Sequence, residues 1–93
     1  MDDSTHTLEK TVSIVNDLGL HARAAAKLAA VAGRASGGAW LISNGQTVDA
    51  TSVIDILTLA CSRGMTVTLK VDSAGDIHIL EEMAVLVNNG FGE

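Results

Sequence analysis

The sequence lacks proline altogether and contains one cysteine and two aromatic residues among its 93 positions. Without proline, collagen-like and polyproline segments are excluded. The lone Cys61 cannot form an internal disulfide or a cysteine-based metal site, so nothing demands an oxidising compartment. No apolar run approaches the ~20 residues of a membrane span, and the chain starts with a polar, acidic segment. We therefore expect a cytoplasmic protein with neither signal peptide nor membrane anchor.

Basic residues are also scarce. The chain has six lysine and arginine residues and 11 acidic ones, which together give a formal net charge of −5. A general nucleic-acid binder needs a basic surface, so that class is excluded. Hydrophobic residues make up 47% of the chain, which is too many for a disordered protein. We expect one domain over residues 9–93, with a thin two-layer core, after a polar tail over residues 1–8 that contains His6. No histidine has a metal-ligand spacing, and we predict no metal or cofactor.

Changes in hydrophobic period predict four strands and three helices. The Asn44-Gly45 pair between two strand-like runs predicts a type I′ hairpin, because both residues tolerate positive φ. The predicted elements are a strand over 9–16, a helix over 22–35 ended by Gly37-Gly38, strands over 39–43 and 46–48, a helix over 53–62 stopped by Gly64, a strand over 65–71, and a helix from about 76 to Asn89-Gly90. This β-α-β-β-α-β-α order favours an α+β sandwich, with one mostly antiparallel sheet covered by helices on one face.

Two of the helix starts carry capping signals. Ser52, followed three residues later by Asp55, resembles a capping pair, although Asp is a poorer third-position partner than Glu. Ser73 and Asp76 are alternative caps for the last helix. A capping serine stabilises a helix by about 1 kcal/mol.

A turn is predicted over Asp17-Leu18-Gly19-Leu20, and His21 lies where it meets the first predicted helix, followed by Ala22 and Arg23. The first N–H groups of a helix lack internal partners and carry part of the positive end of its dipole, so an anion is stabilised there. A neutral histidine ring can attack phosphorus near pH 7. The resulting phosphoryl oxygens would meet the amides of Ala22 and Arg23, and the Arg23 guanidinium could add charge-assisted hydrogen bonds. From spacing alone, a histidine that merely opens a helix is an equally good interpretation.

A basic stripe accompanies this histidine. At ~100° per residue, Arg23, Lys27 and Arg34 fall within about 40° of one another on the helix. The stripe predicts a local positive surface in an otherwise acidic protein.

A set of motifs in the same order and spacing resembles the HPr family, the histidine-containing phosphocarriers of the bacterial phosphoenolpyruvate:sugar phosphotransferase system. The similarity covers about residues 9–93. The motifs are Gly19-Leu20-His21-Ala22-Arg23-Ala24-Ala25, Asn44-Gly45 with Val48 and Ser52 before an apolar helix, Gly64, and Gly90-Phe91-Gly92-Glu93.

The resemblance implies a specific function. His21 would be phosphorylated on Nδ1 by enzyme I, using phosphoenolpyruvate, and would pass the phosphoryl group to enzyme IIA components. Arg23 would support the phosphate. The resemblance also implies an open-faced sandwich with strand order 1-4-2-3, a monomer, and a carrier that turns over no substrate itself.

The resemblance further implies a regulatory position and a docking surface. Ser52 matches the serine that HPr kinase/phosphorylase modifies in many bacteria. A phosphate there would add about two negative charges beside the docking surface. That surface is expected to contain Leu20, Lys27, Ile54 and Leu57.

Helical spacing divides the short helix between surface and core. Val53 and Ile56 fit a buried stripe, which leaves Ile54 and Leu57 for docking.

Two residues depart from the family pattern. Ala24 stands where the family usually has proline, which frees one amide donor, and Asp55 places a negative charge in the docking region. The resemblance implies that enzyme I presents an acidic face to this region, so the Asp55 charge leads us to expect a dedicated enzyme I partner.

Two other functions compete with the carrier. One is a regulatory protein of the same fold that acts mainly through phosphorylated Ser52. The other is a ferredoxin-like module that binds a small ligand, which leaves His21 and Arg23 unexplained. A stand-alone enzyme is disfavoured because no second acid or base accompanies His21.

Overall fold

The structure, a computed structural model, describes residues 8–93. Most of the predicted tail, including His6, lies outside the described residues. The strands and helices are β1 Glu9–Ser13, α1 Ala22–Ala32, β2 Ala39–Ser43, β3 Gln46–Asp49, α2 Val53–Thr58, β4 Thr66–Val71 and α3 Ile77–Asn88, with 3₁₀ turns at Ala74–Asp76 and Gly90–Gly92.

The four strands form one antiparallel sheet in the order β1-β4-β2-β3. The predicted α+β sandwich and its strand order are confirmed. The Asn44-Gly45 hairpin is also confirmed, with φ values of 52° and 78°. Ser43 pairs with Gln46 across that turn, as a two-residue type I′ connection requires.

The core lies between the sheet and its helical layer. In β4, Val67, Leu69 and Val71 are buried while the residues between them are partly exposed, which is the alternation of a sheet with one covered face. On the open face, Thr11 and Thr68 share a 2.9 Å hydroxyl hydrogen bond between β1 and β4. The largest fully buried side chains include Phe91, Ile14, Leu28, Leu41, Ile56, Leu69, Ile79, Leu80 and Met83.

Helix α1 is shorter than predicted. It ends at Ala32 with Gly33 as its C-cap, rather than at Gly37-Gly38. Glycine has low helix propensity, and after Gly33 the amides of Arg34 and Ala35 bond three residues back, to Val31 and Ala32. The amides of Ser36 and Gly37 then donate to the Asp76 carboxylate, at 2.9 and 2.8 Å, which holds the segment that follows the helix.

Helix α2 also ends before its predicted stop. It covers Val53–Thr58, and Ala60 then adopts φ 51°. The amides of Leu59 and Ala60 bond three residues back, to Ile56 and Leu57, so the last turn tightens before Gly64 is reached.

The two alternative caps before α3 have separate roles. The Ser73 hydroxyl accepts from the Gly75 amide at 3.2 Å and caps the 3₁₀ turn. Asp76 is the N-cap of α3 but makes no side-chain cap bond, because its carboxylate is used by the segment after α1. Asp76 is nonetheless buried, at 2% exposure.

Candidate functional site

His21 is the N-cap residue of α1, with extended backbone angles of φ −79° and ψ 178°. A tight turn delivers it there. The Gly19 amide donates to the Asn16 carbonyl at 3.1 Å, and the Leu20 amide donates to the Cys61 carbonyl at 2.9 Å. Gly19 has φ +65°, and a Cβ at this position would lie 2.5 Å from the Cys61 oxygen. Only glycine fits this turn, which explains the glycine two residues before the histidine.

The first amides of α1 lack backbone acceptors. The first bond of this end runs from the Ala25 amide to the His21 carbonyl, at 2.8 Å. Within residues 8–93, the amides of Ala22, Arg23 and Ala24 have no hydrogen-bond acceptor. These donors and the helix dipole together favour an anion beside His21.

The His21 ring contacts Glu93, a residue that the motif analysis did not place in the site. The His21 Nε2 lies 2.5 Å from Glu93 Oε2, with side chains 25% and 19% exposed. Burial raises the pKa of Glu93, but hydrogen bonds from His21 and Asn16 and the charges of His21 and Arg23 lower it more, so the net pKa falls below its ordinary value. The carboxylate is therefore ionised near pH 7.

The predicted basic stripe is divided by its contacts. Arg34 forms a two-point ion pair with Glu82, at 2.7 and 3.0 Å, so it does not serve the histidine. The Lys27 ammonium donates to the Phe91 carbonyl at 2.7 Å. Arg23 is exposed and makes no hydrogen bond to any of residues 8–93, so its guanidinium remains available beside His21. The prediction of one basic stripe is therefore wrong for Arg34, which lies beyond the end of α1 and pairs with Glu82.

Helix α2 presents the apolar pair that the docking prediction names. Ile54 is 75% exposed and Leu57 is 39% exposed. Ile56 is fully buried, and Val53 packs partly buried against the core. The Ser52 hydroxyl accepts from the Asp55 amide at 3.2 Å, so the predicted cap is present.

The predicted docking role of Leu20 does not fit its position. Its side chain is 5% exposed and belongs to the core, because the Leu20 amide bond to Cys61 turns this residue inward. Two neighbours in the same loop are exposed instead: Leu18 at 71% and Val15 at 48%. Sequence reasoning missed both. Leu18 lies in a turn, which has no hydrophobic period that separates surface from core, and Val15 falls within the strand predicted over 9–16, which in the structure ends at Ser13.

The remaining candidates stay outside the site. Cys61 is buried, and His78 is exposed on α3. Across residues 8–93, no group of three or more histidine, cysteine or acidic side chains could hold a metal ion. No helix in the described part of the chain is long and apolar enough to span a bilayer.

Fold and site together define a class: a small open-faced sandwich that presents a histidine at the start of its first helix. The family model described as the PTS HPr component phosphorylation site matches residues 8–89. The chain belongs to the HPr family of phosphocarrier proteins of the phosphotransferase system, whose members are carriers rather than catalysts.

Individual relatives agree with this assignment. The chain is 40% identical over 86 residues to the phosphocarrier protein HPr of Cupriavidus necator, covering 92% of this chain and 97% of that protein. It is 36% identical over 86 residues to the phosphocarrier protein NPr of Shewanella violacea, covering 92% and 94%. The crystal structure of HPr-C-His from Thermoanaerobacter tengcongensis superposes with a TM-score of 0.86 at 32% identity, covering 91% of this chain and 96% of that one.

Proposed function

We propose that this protein is a cytoplasmic phosphoryl carrier. His21 Nδ1 accepts a phosphoryl group from enzyme I, which takes it from phosphoenolpyruvate, and passes it to enzyme IIA components. The observation that supports this most strongly is the position of His21 as N-cap of α1, beside three amides without acceptors. A ring nitrogen at that place can act as nucleophile where the product anion is stabilised.

The surroundings of His21 support the choice of nitrogen. Nε2 is engaged by Glu93, whereas Nδ1 has no hydrogen bond to any described residue. Once Nδ1 carries the phosphoryl group, the amides of Ala22 and Arg23 can donate to its oxygens. The Arg23 guanidinium adds charge-assisted hydrogen bonds, which are about twice as strong as neutral ones.

The docking surface combines apolar and basic groups. Ile54 and Leu57 supply exposed apolar area on α2, and Leu18 adds more in the loop before His21. Lys27 retains two further N–H donors after its bond to Phe91, so it can meet a carboxylate of enzyme I or enzyme IIA. We propose that the protein engages each partner as a monomer through this surface.

A matched pair of variants tests the docking surface. Ile54→Ala should raise the KM for enzyme I several-fold with little change in kcat, because it removes contact area away from the reacting nitrogen. Val85 is also an exposed apolar residue, at 57% on α3, and Val85→Ala should leave the KM unchanged. Equal effects of the two variants would contradict the assignment of α2.

Regulation through Ser52 is the second candidate. Its hydroxyl is partly exposed at the start of α2, and a phosphate added by an HPr kinase/phosphorylase would lie at a helix N-terminus, where the fold tolerates it. It would also place about two negative charges next to Ile54 and Asp55. Weaker phosphorylation by enzyme I in a Ser52→Asp variant would support this role, whereas an unchanged rate would argue against it.

The carrier function itself is tested by incubating the protein with phosphoenolpyruvate and its cognate enzyme I. We expect an acid-labile, base-stable adduct of about 80 Da, the mass of one phosphoryl group. The adduct should be absent in His21→Ala. Its absence from the wild type, or its persistence in the variant, would contradict the proposal.

A further inference from the structure

We propose that Glu93 is a positioning residue for the His21 nucleophile, and that Asn16 holds Glu93 in place. This inference rests on the proposed carrier function. Glu93 would keep the ring proton on Nε2, leave the lone pair on Nδ1, and stabilise the charged ring that forms when Nδ1 bonds to phosphorus.

The segment that carries Glu93 is firmly anchored. Gly90, Phe91 and Gly92 all adopt positive φ, at 63°, 60° and 76°, which turns the chain back after α3. Phe91 is 1% exposed and belongs to the core, although a bulky residue rarely adopts this conformation. Its carbonyl accepts from the Lys27 ammonium of α1 at 2.7 Å. The turn therefore fixes Glu93 beside the helix that begins at His21.

Asn16 joins this carboxylate to the turn before His21. Its Nδ2 donates to the Gly19 carbonyl at 2.8 Å and to Glu93 Oε1 at 3.2 Å. The residue is 7% exposed. Its Oδ1 is buried without a hydrogen-bond partner in the described part of the chain, a cost to stability that few native side chains carry. The orientation that leaves this oxygen unpaired is the one in which both N–H groups reach Gly19 and Glu93.

The three side chains form one connected chain of bonds, from Asn16 to Glu93 to His21. Each Glu93 oxygen has its own donor, which defines the plane of the carboxylate as well as its position. An ionised carboxylate only accepts hydrogen bonds, so a neutral His21 ring must donate from Nε2. The lone pair then lies on Nδ1, the nitrogen without a hydrogen bond.

The transfer step follows from this arrangement. The Nδ1 lone pair forms the new N–P bond, while the bond between phosphorus and the donor breaks and its electron pair leaves with the donor. The Nε2 proton stays between His21 and Glu93, so the ring gains a positive charge. The adjacent carboxylate stabilises that charge, in the way that a buried aspartate supports the histidine of a hydrolase triad.

The same contact assists the onward transfer. When an acceptor attacks phosphorus, the N–P electron pair returns to Nδ1, and a ring that keeps its Nε2 proton leaves as neutral imidazole rather than as an anion. A residue that only completed the packing of the last turn would affect neither step.

The inference is tested with potassium phosphoramidate, a small phosphoryl donor that needs no enzyme I. We expect Glu93→Gln and Glu93→Ala to be phosphorylated at His21 about tenfold more slowly than the wild type. This is less than the roughly 10²–10⁴-fold effect of a group that transfers a proton itself, because Glu93 only positions the ring and the pair is partly solvated. Asn16→Ala should lie between them and the wild type. Glu81→Gln, which removes the same charge from the exposed face of α3, should react at the wild-type rate.

Nitrogen-15 spectra of the unphosphorylated His21 ring supply a readout that packing alone would not change. In the wild type above pH 8 we expect a protonated Nε2 and an unprotonated Nδ1, and in Glu93→Ala a mixture of the two tautomers. Wild-type rates and tautomers in both Glu93 variants would overturn the inference and leave the carrier function intact. Failure of the wild type to be phosphorylated would overturn both.

Discussion

Replacing Gly19 by alanine tests whether the turn before His21 is as tightly constrained as the structure indicates. Gly19 has φ +65°, and an added Cβ would lie 2.5 Å from the Cys61 oxygen and 2.9 Å from the Ser62 Cα. Both contacts are backbone atoms, so a side-chain rotation cannot relieve them. The turn itself would have to move, and with it His21.

Two contributions make up the expected loss in the free energy of unfolding of Gly19→Ala. Alanine in a left-handed conformation costs about 1–2 kcal/mol, of which about 0.4–1 kcal/mol is recovered because alanine restricts the unfolded chain. Forcing a methyl group into filled space adds about 1–3 kcal/mol. We therefore expect Gly19→Ala to lower the free energy of unfolding by about 2–4 kcal/mol, which for a domain of this size lowers Tm by at least about 8 °C.

Gly64→Ala is the matched control. Gly64 also has positive φ, +91°, but nothing lies within 4 Å of its added Cβ. This variant should lose only about 1 kcal/mol and should accept phosphoryl groups at the wild-type rate. Thermal unfolding and phosphoryl transfer are measured on both proteins. Equal Tm values, or normal transfer in Gly19→Ala, would show that the turn before His21 tolerates a side chain at Gly19.

Three further predictions concern the helix starts. Ser52→Ala should lower the free energy of unfolding by about 1 kcal/mol, because the Asp55 amide loses its cap; an unchanged denaturation midpoint would contradict this. Hydrogen bonds from the Ser36 and Gly37 amides hold the pKa of Asp76 below its ordinary value. The ionised carboxylate therefore stabilises the fold fully at pH values above the unfolded pKa of about 3.9. This contribution is lost as the pH falls through the lower pKa of the folded state. The Tm difference between wild type and Asp76→Asn should accordingly shrink in acid, and a constant difference from pH 7 to 3 would be the contrary result. Ala24→Pro should still accept phosphoryl groups from enzyme I but at a changed rate, since it removes one N–H beside the phosphate; unchanged rate and stability would count against that role.

Local signals in the sequence predict most of the fold. Asn44-Gly45 specifies a turn by its own backbone preferences, and Ser52 caps a helix through an amide three residues away. The alternation of Val67, Leu69 and Val71 follows directly from the pleat of a strand. These features depend on neighbours in the chain, which is why reading along the chain finds them.

Several features that the sequence did not predict depend on contacts between distant residues. The segment after α1 is held by Asp76, and the Arg34 guanidinium pairs with Glu82 on α3. His21 meets Glu93 across a separation of 72 residues. No periodicity links such positions, although the Gly90-Phe91-Gly92-Glu93 motif did mark this segment as part of the family pattern. Charge and glycine content alone could not tell which side chain the turn would deliver to the site.

The most direct test of the account is to locate the phosphoryl group after reaction with phosphoenolpyruvate and enzyme I. Phosphorus-31 and nitrogen-15 spectra of the labelled protein distinguish the nitrogens of its three histidines. We expect a single N–P bond at His21 Nδ1. A phosphoryl group on His21 Nε2, on His78, or on no histidine at all would contradict it.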